Sequence, residues 1–130
     1  MNIPEGFGTI FPYIFVKGAS DFSAFLVEAF GAVEELRTIR PDGVIANIQM
    51  KIGSSMFMLS EASEQYPAMP SAYYVYVENA DLAMNQAMIS GATLEMEVVD
   101  MPYDDRQGGV RDPFGNIWWV SQRLVDGPYK

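Results

Sequence analysis

Tyr74 and Tyr76 in AYYVYV, and Trp119 in NIWWVS, are the side chains whose type and spacing point most directly to chemistry. In an extended strand successive side chains face opposite ways, so the two phenols share a face while Trp118 and Trp119 cannot. A phenol donates and accepts hydrogen bonds, and an indole offers a flat stacking surface. In strands such aromatics also serve as core or edge filling. A third group alternates in ANIQMKI, with Asn47, Gln49 and Lys51 on one face and Ile48, Met50 and Ile52 on the other. If the polar face lines a cavity, Asn47 and Gln49 supply amide hydrogen bonds; if it meets water, they carry no function.

The missing residue types narrow the chemistry further. There is no cysteine, hence no disulfide, no thiolate nucleophile and no zinc finger. There is no histidine either, which removes the commonest metal ligand and general base and every Ser-His-Asp or Cys-His arrangement. Carboxylates, Tyr, Lys and Arg remain, and a phenol with an ordinary pKa of about 10 acts as a base only under strong activation. EGFG, Glu5 to Gly8, has no strand before it and no helix after it, so it is not a phosphate loop.

The elements that must position these side chains follow from punctuation and periodicity. SDFSAFLVEAFGA places Phe22, Phe25, Leu26, Ala29 and Phe30 on one face of a helix over 20–32. Ser20 or Asp21 suits its N-cap, and Gly31 the position after the last turn. ADLAMNQAMISGA predicts a second helix over 80–92. Strands are predicted over 9–16, 33–39, 44–52, 55–60, 72–77, 93–99, 107–112 and 116–121. RPDG and PFGN are turns, and MPYDDRQGG, Met101 to Gly109, is the longest polar loop.

At 130 residues, 49% hydrophobic and 19% charged, the chain has the size and composition of one globular domain. No apolar run approaches the roughly 20 residues of a spanning helix. The N-terminus lacks a basic stretch followed by an apolar core, so a cytoplasmic protein is expected. Eight Lys and Arg against 17 Asp and Glu leave a net charge of −9, which disfavours nucleic acid as a partner and tolerates a cationic or weakly polar ligand. The same acidity also serves solubility alone.

The two halves repeat. VKGAS at Val16 answers VENAD at Val77, and MFMLS at Met56 answers IWWVS at Ile117, each with an offset of 61. AFGA at Ala29 answers ISGA at Ile89 with an offset of 60. The fold expected is α+β, with tandem βαβββ modules over 9–60 and 72–123 and a Glu- and Pro-containing linker over 61–71.

That duplication, with DPFGNIWWV and the VKGASDFSAFLVEAFGA strand-to-helix entry, resembles the vicinal oxygen chelate superfamily, which contains glyoxalase I, extradiol dioxygenases, fosfomycin-resistance enzymes and bleomycin-resistance binding proteins. The resemblance spans nearly all of residues 9 to 123. It implies a curled four-stranded mixed sheet in each module, paired cups around a ligand site, and a homodimer. It also implies four metal-ligand positions on the first and last strands of the modules. These fall on Phe11 or Pro12, on or beside Met58, on Ala72 and on Trp119, none of which suits a hard divalent ion, so no metal and no cofactor is expected. Glu61 is the nearest carboxylate that a slip of register could recruit.

The resemblance turns Trp119 into the cup, with Tyr74 and Tyr76 on the same face. It also sets Tyr103 and Arg106 over the cup mouth; Asp104, Asp105 and Arg106 read equally well as a solvated charged turn. The expected function is therefore a metal-free binding protein of the bleomycin-resistance type, holding a planar or cationic small molecule against Trp119, Tyr74, Tyr76, Asn47, Gln49, Met58, Tyr103 and Arg106. An isomerase, lyase or transferase of the same fold is the alternative, with Tyr74, Tyr76 or a mouth carboxylate such as Asp105 as its acid-base groups; a buried carboxylate beside the tyrosines would favour it. A third possibility, a vestigial pocket filled by its own side chains, predicts Met50, Met58 and Trp119 in mutual contact.

Overall fold

Proline cuts the first strand short. Pro12 has no N–H to give a ladder, and strand β1 is Tyr13–Val16 rather than the longer run 9–16. In the computed structural model, which describes residues 1–130, it is followed by α1 (Ala19–Phe30), β2 (Val33–Ile39), β3 (Ile45–Ile52) and β4 (Ser55–Glu61). The same order recurs in β5 (Ala72–Tyr76), α2 (Ala80–Ile89), β6 (Thr93–Asp100), β7 (Asp105–Arg111) and β8 (Ile117–Arg123). The sheets run β1-β4-β3-β2 and β5-β8-β7-β6. The first pair in each is parallel and the others antiparallel. The chain divides into two compact units, Met1–Pro70 and Ser71–Lys130. No helix is long and apolar enough to cross a membrane.

Each helix covers one face of its own sheet. Phe22 and Leu26 of α1 are fully buried, as are Ile48, Met50 and Leu59 of the sheet; each such side chain contributes about 1.5–3 kcal/mol. The core of the second unit is Val75, Ala80, Met84, Ala87, Val110, Trp118 and Val120. The predicted alternation of β3 holds: Ile48 and Met50 are fully buried, whereas Asn47 and Gln49 are half-buried on the opposite face.

The start of α1 is not capped by Ser20 or Asp21. The helix begins at Ala19, ahead of both, after Gly18 in the left-handed region at φ 89°. The Glu61 carboxylate, at the end of β4, accepts the N–H groups of Gly18 at 3.0 Å and Ala19 at 2.9 Å. In the second unit Asn79 caps Leu82 N–H with its own side chain, and Gln122 on β8 accepts Ala80 N–H at 3.0 Å. Glu61 and Gln122 are 61 residues apart (122 − 61), so both modules satisfy the helix start from their last strand. Gly31 ends α1 as expected, at φ 68°.

The predicted polar loop over 101–109 is mostly strand. Only Met101–Asp104 turns, with Asp104 at φ 68° and its N–H bonded to Met101 O at 3.1 Å. Asp105 and Arg106 already pair with Arg123 and Gln122 across the β7–β8 ladder, and Asp105 is fully buried. The expectation of a solvated charged turn therefore fails at Asp105. Short polar residues read as loop by composition, yet here burial of one face and hydrogen bonding of the polar tips outweigh propensity.

Candidate functional site

The glycine pair in QGGVR sets up the second sheet. A Cβ at Gly108 would stand 2.8–2.9 Å from Met84 and Val98, so its absence lets α2 approach. A Cβ at Gly109 would stand 2.6 Å from Trp119 Cζ3 on the other side. The Trp119 ring therefore packs over bare backbone of β7, half-buried, on the sheet face away from α2. Trp118 takes the opposite face: it is buried, packs against Tyr73 at 4.9 Å between ring centres, and donates its indole N–H to Asp112 at 2.8 Å. Asp112 also accepts the N–H groups of Phe114 and Asn116, so Trp118 locks the DPFGN turn that launches β8. One tryptophan holds the frame and its neighbour presents a surface.

Register brings the expected tyrosines beside that surface. Tyr74 pairs with Trp119, and Tyr76 with Ser121, across the parallel β5–β8 ladder. Their rings meet edge to face at 5.4 Å. Tyr103 joins them from the turn before β7, donating its hydroxyl to the Gln107 side chain. Tyr74 donates to Asp105, as does Tyr129 from the chain's last residues at 2.6 Å. Arg123 Nη1 completes the cluster with an ion pair to Asp105 at 3.0 Å, and its guanidinium lies 4.1 Å over the Tyr129 ring. Ser121 Oγ is buried here without a hydrogen-bond partner.

The electrostatics of this cluster are settled rather than poised. Burial alone would raise the Asp105 carboxyl, but the hydrogen bonds from Tyr129, Tyr74 and Arg123 outweigh it and hold it below the ordinary carboxylate value. Burial, with the bond to Asp105, pushes Tyr74 up. Tyr129 is raised well beyond an ordinary phenol, first by its bond to Asp105 and then by Tyr76. At neutral pH this is an ionised carboxylate held by two neutral phenols and a guanidinium.

The first sheet carries a different set at matching places. Tyr13 pairs with Met58, which pairs in turn with Gln49. Asn47 Nδ2 approaches Met58 Sδ at 3.5 Å, and Phe15 stacks on Tyr66 at 5.3 Å and 12°. Met50 points the other way, toward Ser23 of α1 at 3.3 Å. The mutual contact of Met50 and Met58 that a self-filled pocket requires is therefore absent.

Arg106 does not join Tyr103. It lies on the helix side of β7, where it pairs with Asp81 of α2 at 2.8 Å and Asp100 at 2.9 Å; one step of strand register separates the two faces. Four residues of the cluster are not apparent as site residues from the sequence. Asp105 reads there only as a carboxylate at the mouth, and Gln107, Arg123 and Tyr129 have no role. The spacing Asp105–Gln107–Gly109 on one strand parity is the available signal, masked when that stretch is assigned to a loop.

The superfamily's metal is not matched by the residues present. Phe11, Pro12, Ala72 and Trp119 offer no ligand atom and Met58 only a thioether. Glu61 is committed to α1, and no group of three or more Asp or Glu side chains converges.

A comparison with protein-family models finds no match. Among curated proteins, the uncharacterized protein Rv0887c of Mycobacterium tuberculosis is 30% identical over 122 residues, covering 85% of this chain and 72% of its own length. The uncharacterized protein Mb0911c of Mycobacterium bovis is also 30% identical, with 85% and 80% covered. Among solved structures, TioX from Micromonospora sp. ML1 superimposes with a TM-score of 0.75 at 23% identity, over 87% of this chain and 96% of its own. TnmS3, an antibiotic binding protein from Streptomyces sp. CB03234, gives 0.69 at 16% identity over 89% and 98%. A lactoylglutathione lyase from Agrobacterium tumefaciens gives 0.64 at 16% over 93% and 98%.

Proposed function

We propose that this chain, which has the fold of glyoxalase/bleomycin resistance/dioxygenase structures, is a member of the vicinal oxygen chelate superfamily and a binding protein for a planar small molecule, which stacks on Trp119 beside Tyr74 and Tyr76. The observation that carries this reading is the Trp119 indole packed where a side chain at Gly109 would stand, at the position where the resemblance implies a metal ligand. The Asp105 charge is already neutralised by Arg123 and two phenols, so the face suits a flat, weakly polar ligand, and the acidic surface tolerates a cationic one. That a structural neighbour, TnmS3, is an antibiotic binding protein is consistent with this class of activity. On this reading the protein works without metal or cofactor, as a homodimer in the cytoplasm.

An enzyme of the same fold is the second reading, and Asp105 buried beside the tyrosines favours it. Against it stands the direction of the shifts. A general base or acid works best with a pKa near the operating pH, whereas Asp105 is pushed down and Tyr74 and Tyr129 up.

Native mass spectrometry of freshly purified protein, with metal analysis of the same sample, separates the two. A dimer that retains a small molecule and holds no stoichiometric metal is the expected result. A stoichiometric divalent metal would overturn the binding reading and direct attention to glyoxalase-like or dioxygenase-like activity.

A further inference from the structure

Tyr129 is the next-to-last residue of the chain, yet its hydroxyl reaches a fully buried carboxylate. The segment after β8 doubles back: Leu124 N–H bonds to Asp104 O at 2.9 Å, and Arg123 Nη2 holds the carbonyls of Gly127 and Pro128, both at 3.1 Å. Gly127, at φ 124°, permits the reversal. The Tyr129 ring then lies under the Arg123 guanidinium and 6.2 Å from Tyr103, edge to face. Its hydroxyl donates to Asp105 Oδ2 at 2.6 Å and is hydrogen-bonded to Tyr76.

These contacts describe how a free phenol would be held: a cation over the ring face, a carboxylate for the O–H and a second hydroxyl beside it. Tyr129 itself remains 48% exposed, and no strand or helix holds its segment. We propose that Asp105, Arg123 and Tyr76 form a recognition site for a phenolic hydroxyl on an aromatic ligand, and that Tyr129 occupies it as a displaceable internal stand-in.

This rests on the binding reading and names the ligand class for it: a planar aromatic whose ring continues toward Trp119 and whose phenol replaces that of Tyr129. An ionised carboxylate accepts but cannot donate, so it favours an O–H over an ether and repels an anion. A ligand's entry frees the C-terminal segment, which makes that segment a strap with two positions.

The test is a titration of full-length protein, followed by backbone amide and indole NMR signals. The ligands are 4-methylphenol, which is the tyrosine side chain itself, its ether 4-methylanisole, and the hydroxyl-free planar molecule acridine. Y129A is expected to bind 4-methylphenol about tenfold or more tightly than wild type does, and to prefer it over 4-methylanisole by a similar factor, as a hydrogen bond to a charged group implies. Y129F, which keeps the ring and lacks the hydroxyl, falls between, and guards against a folding defect in Y129A. The amides of Tyr76, Asp105 and Gln107 should move. Equal binding of phenol and ether by Y129A, no binding of either, or no gain over wild type would overturn the phenol site. Acridine reports separately: if it shifts Trp119 while the phenol is not preferred, stacking stands and the phenol site falls. If the phenol is preferred while Trp119 stays unresponsive, the phenol site stands and stacking falls.

Discussion

The two modules share a ladder and a helix-capping device, and they part company on one sheet face. Tyr74 and Trp119 stand 61 residues after Tyr13 and Met58, and each pair sits side by side on its parallel strands. Gly109 matches Gln49 as the next partner in the register, Gln107 matches Asn47, and Asp105 matches Ile45. The first module thus presents thioether, amides and a phenol with few mutual bonds. The second has no side chain at Gly109, where the Trp119 indole packs instead, and it buries a charge at Asp105 that holds two phenols and a guanidinium. A duplicated fold can keep its frame fixed while one face is rebuilt, because alternate strand residues are free of the core.

Asp105→Ala should break this asymmetry most severely. It leaves Arg123 and two phenols without their acceptor, at a cost of about 2–4 kcal/mol in urea-induced unfolding. The same carboxylate shapes the acid limb. Its folded pKa lies below its unfolded value, so its contribution is complete above the unfolded pKa of about 3.9 and is lost as pH falls toward the folded one. Asp105→Asn should therefore flatten the loss of stability in that window. Glu34 in the first module, lowered chiefly by its hydrogen bond from Arg37, should leave a smaller imprint because both partners are partly in water.

Gly109→Ala comes next, at about 1–3 kcal/mol for overpacking against a rigid indole, with a changed near-ultraviolet dichroism of Trp119. The matched change Gln49→Ala should cost less than about 0.5 kcal/mol. Glu61→Ala and Gln122→Ala should each cost about 1 kcal/mol in thermal unfolding, since each removes an acceptor from a helix start; a large difference between them would break the symmetry of the frame. Asn47→Ala should be the mildest, within about 0.5 kcal/mol, because its Nδ2 meets only a thioether at 3.5 Å.

How much of this the sequence carries depends on the range of the interaction. The repeat, the strand parities of Trp118 and Trp119, and the face shared by Tyr74 and Tyr76 follow from period-two geometry and are legible. The cap on α1 is not, because its acceptor, Glu61, lies 42 residues from Ala19. The start of β7 reads as loop because Asp105 and Arg106 are poor strand formers by composition; only the ladder to β8 shows that one of them is buried and its neighbour faces α2. Tyr129 is invisible for the same reason as the cap: nothing local in GPYK indicates a fold back to Asp105.

The central claim is that the second module's rebuilt face, and Trp119 on it, receives the ligand. The indole N–H signals of the two tryptophans test it in one experiment, since they lie on opposite faces of the same strand. On titration with acridine, the Trp119 signal should shift saturably, while that of Trp118, whose N–H is committed to Asp112, stays in place. A silent Trp119 with saturable shifts at Asn47 and Gln49 would contradict the account.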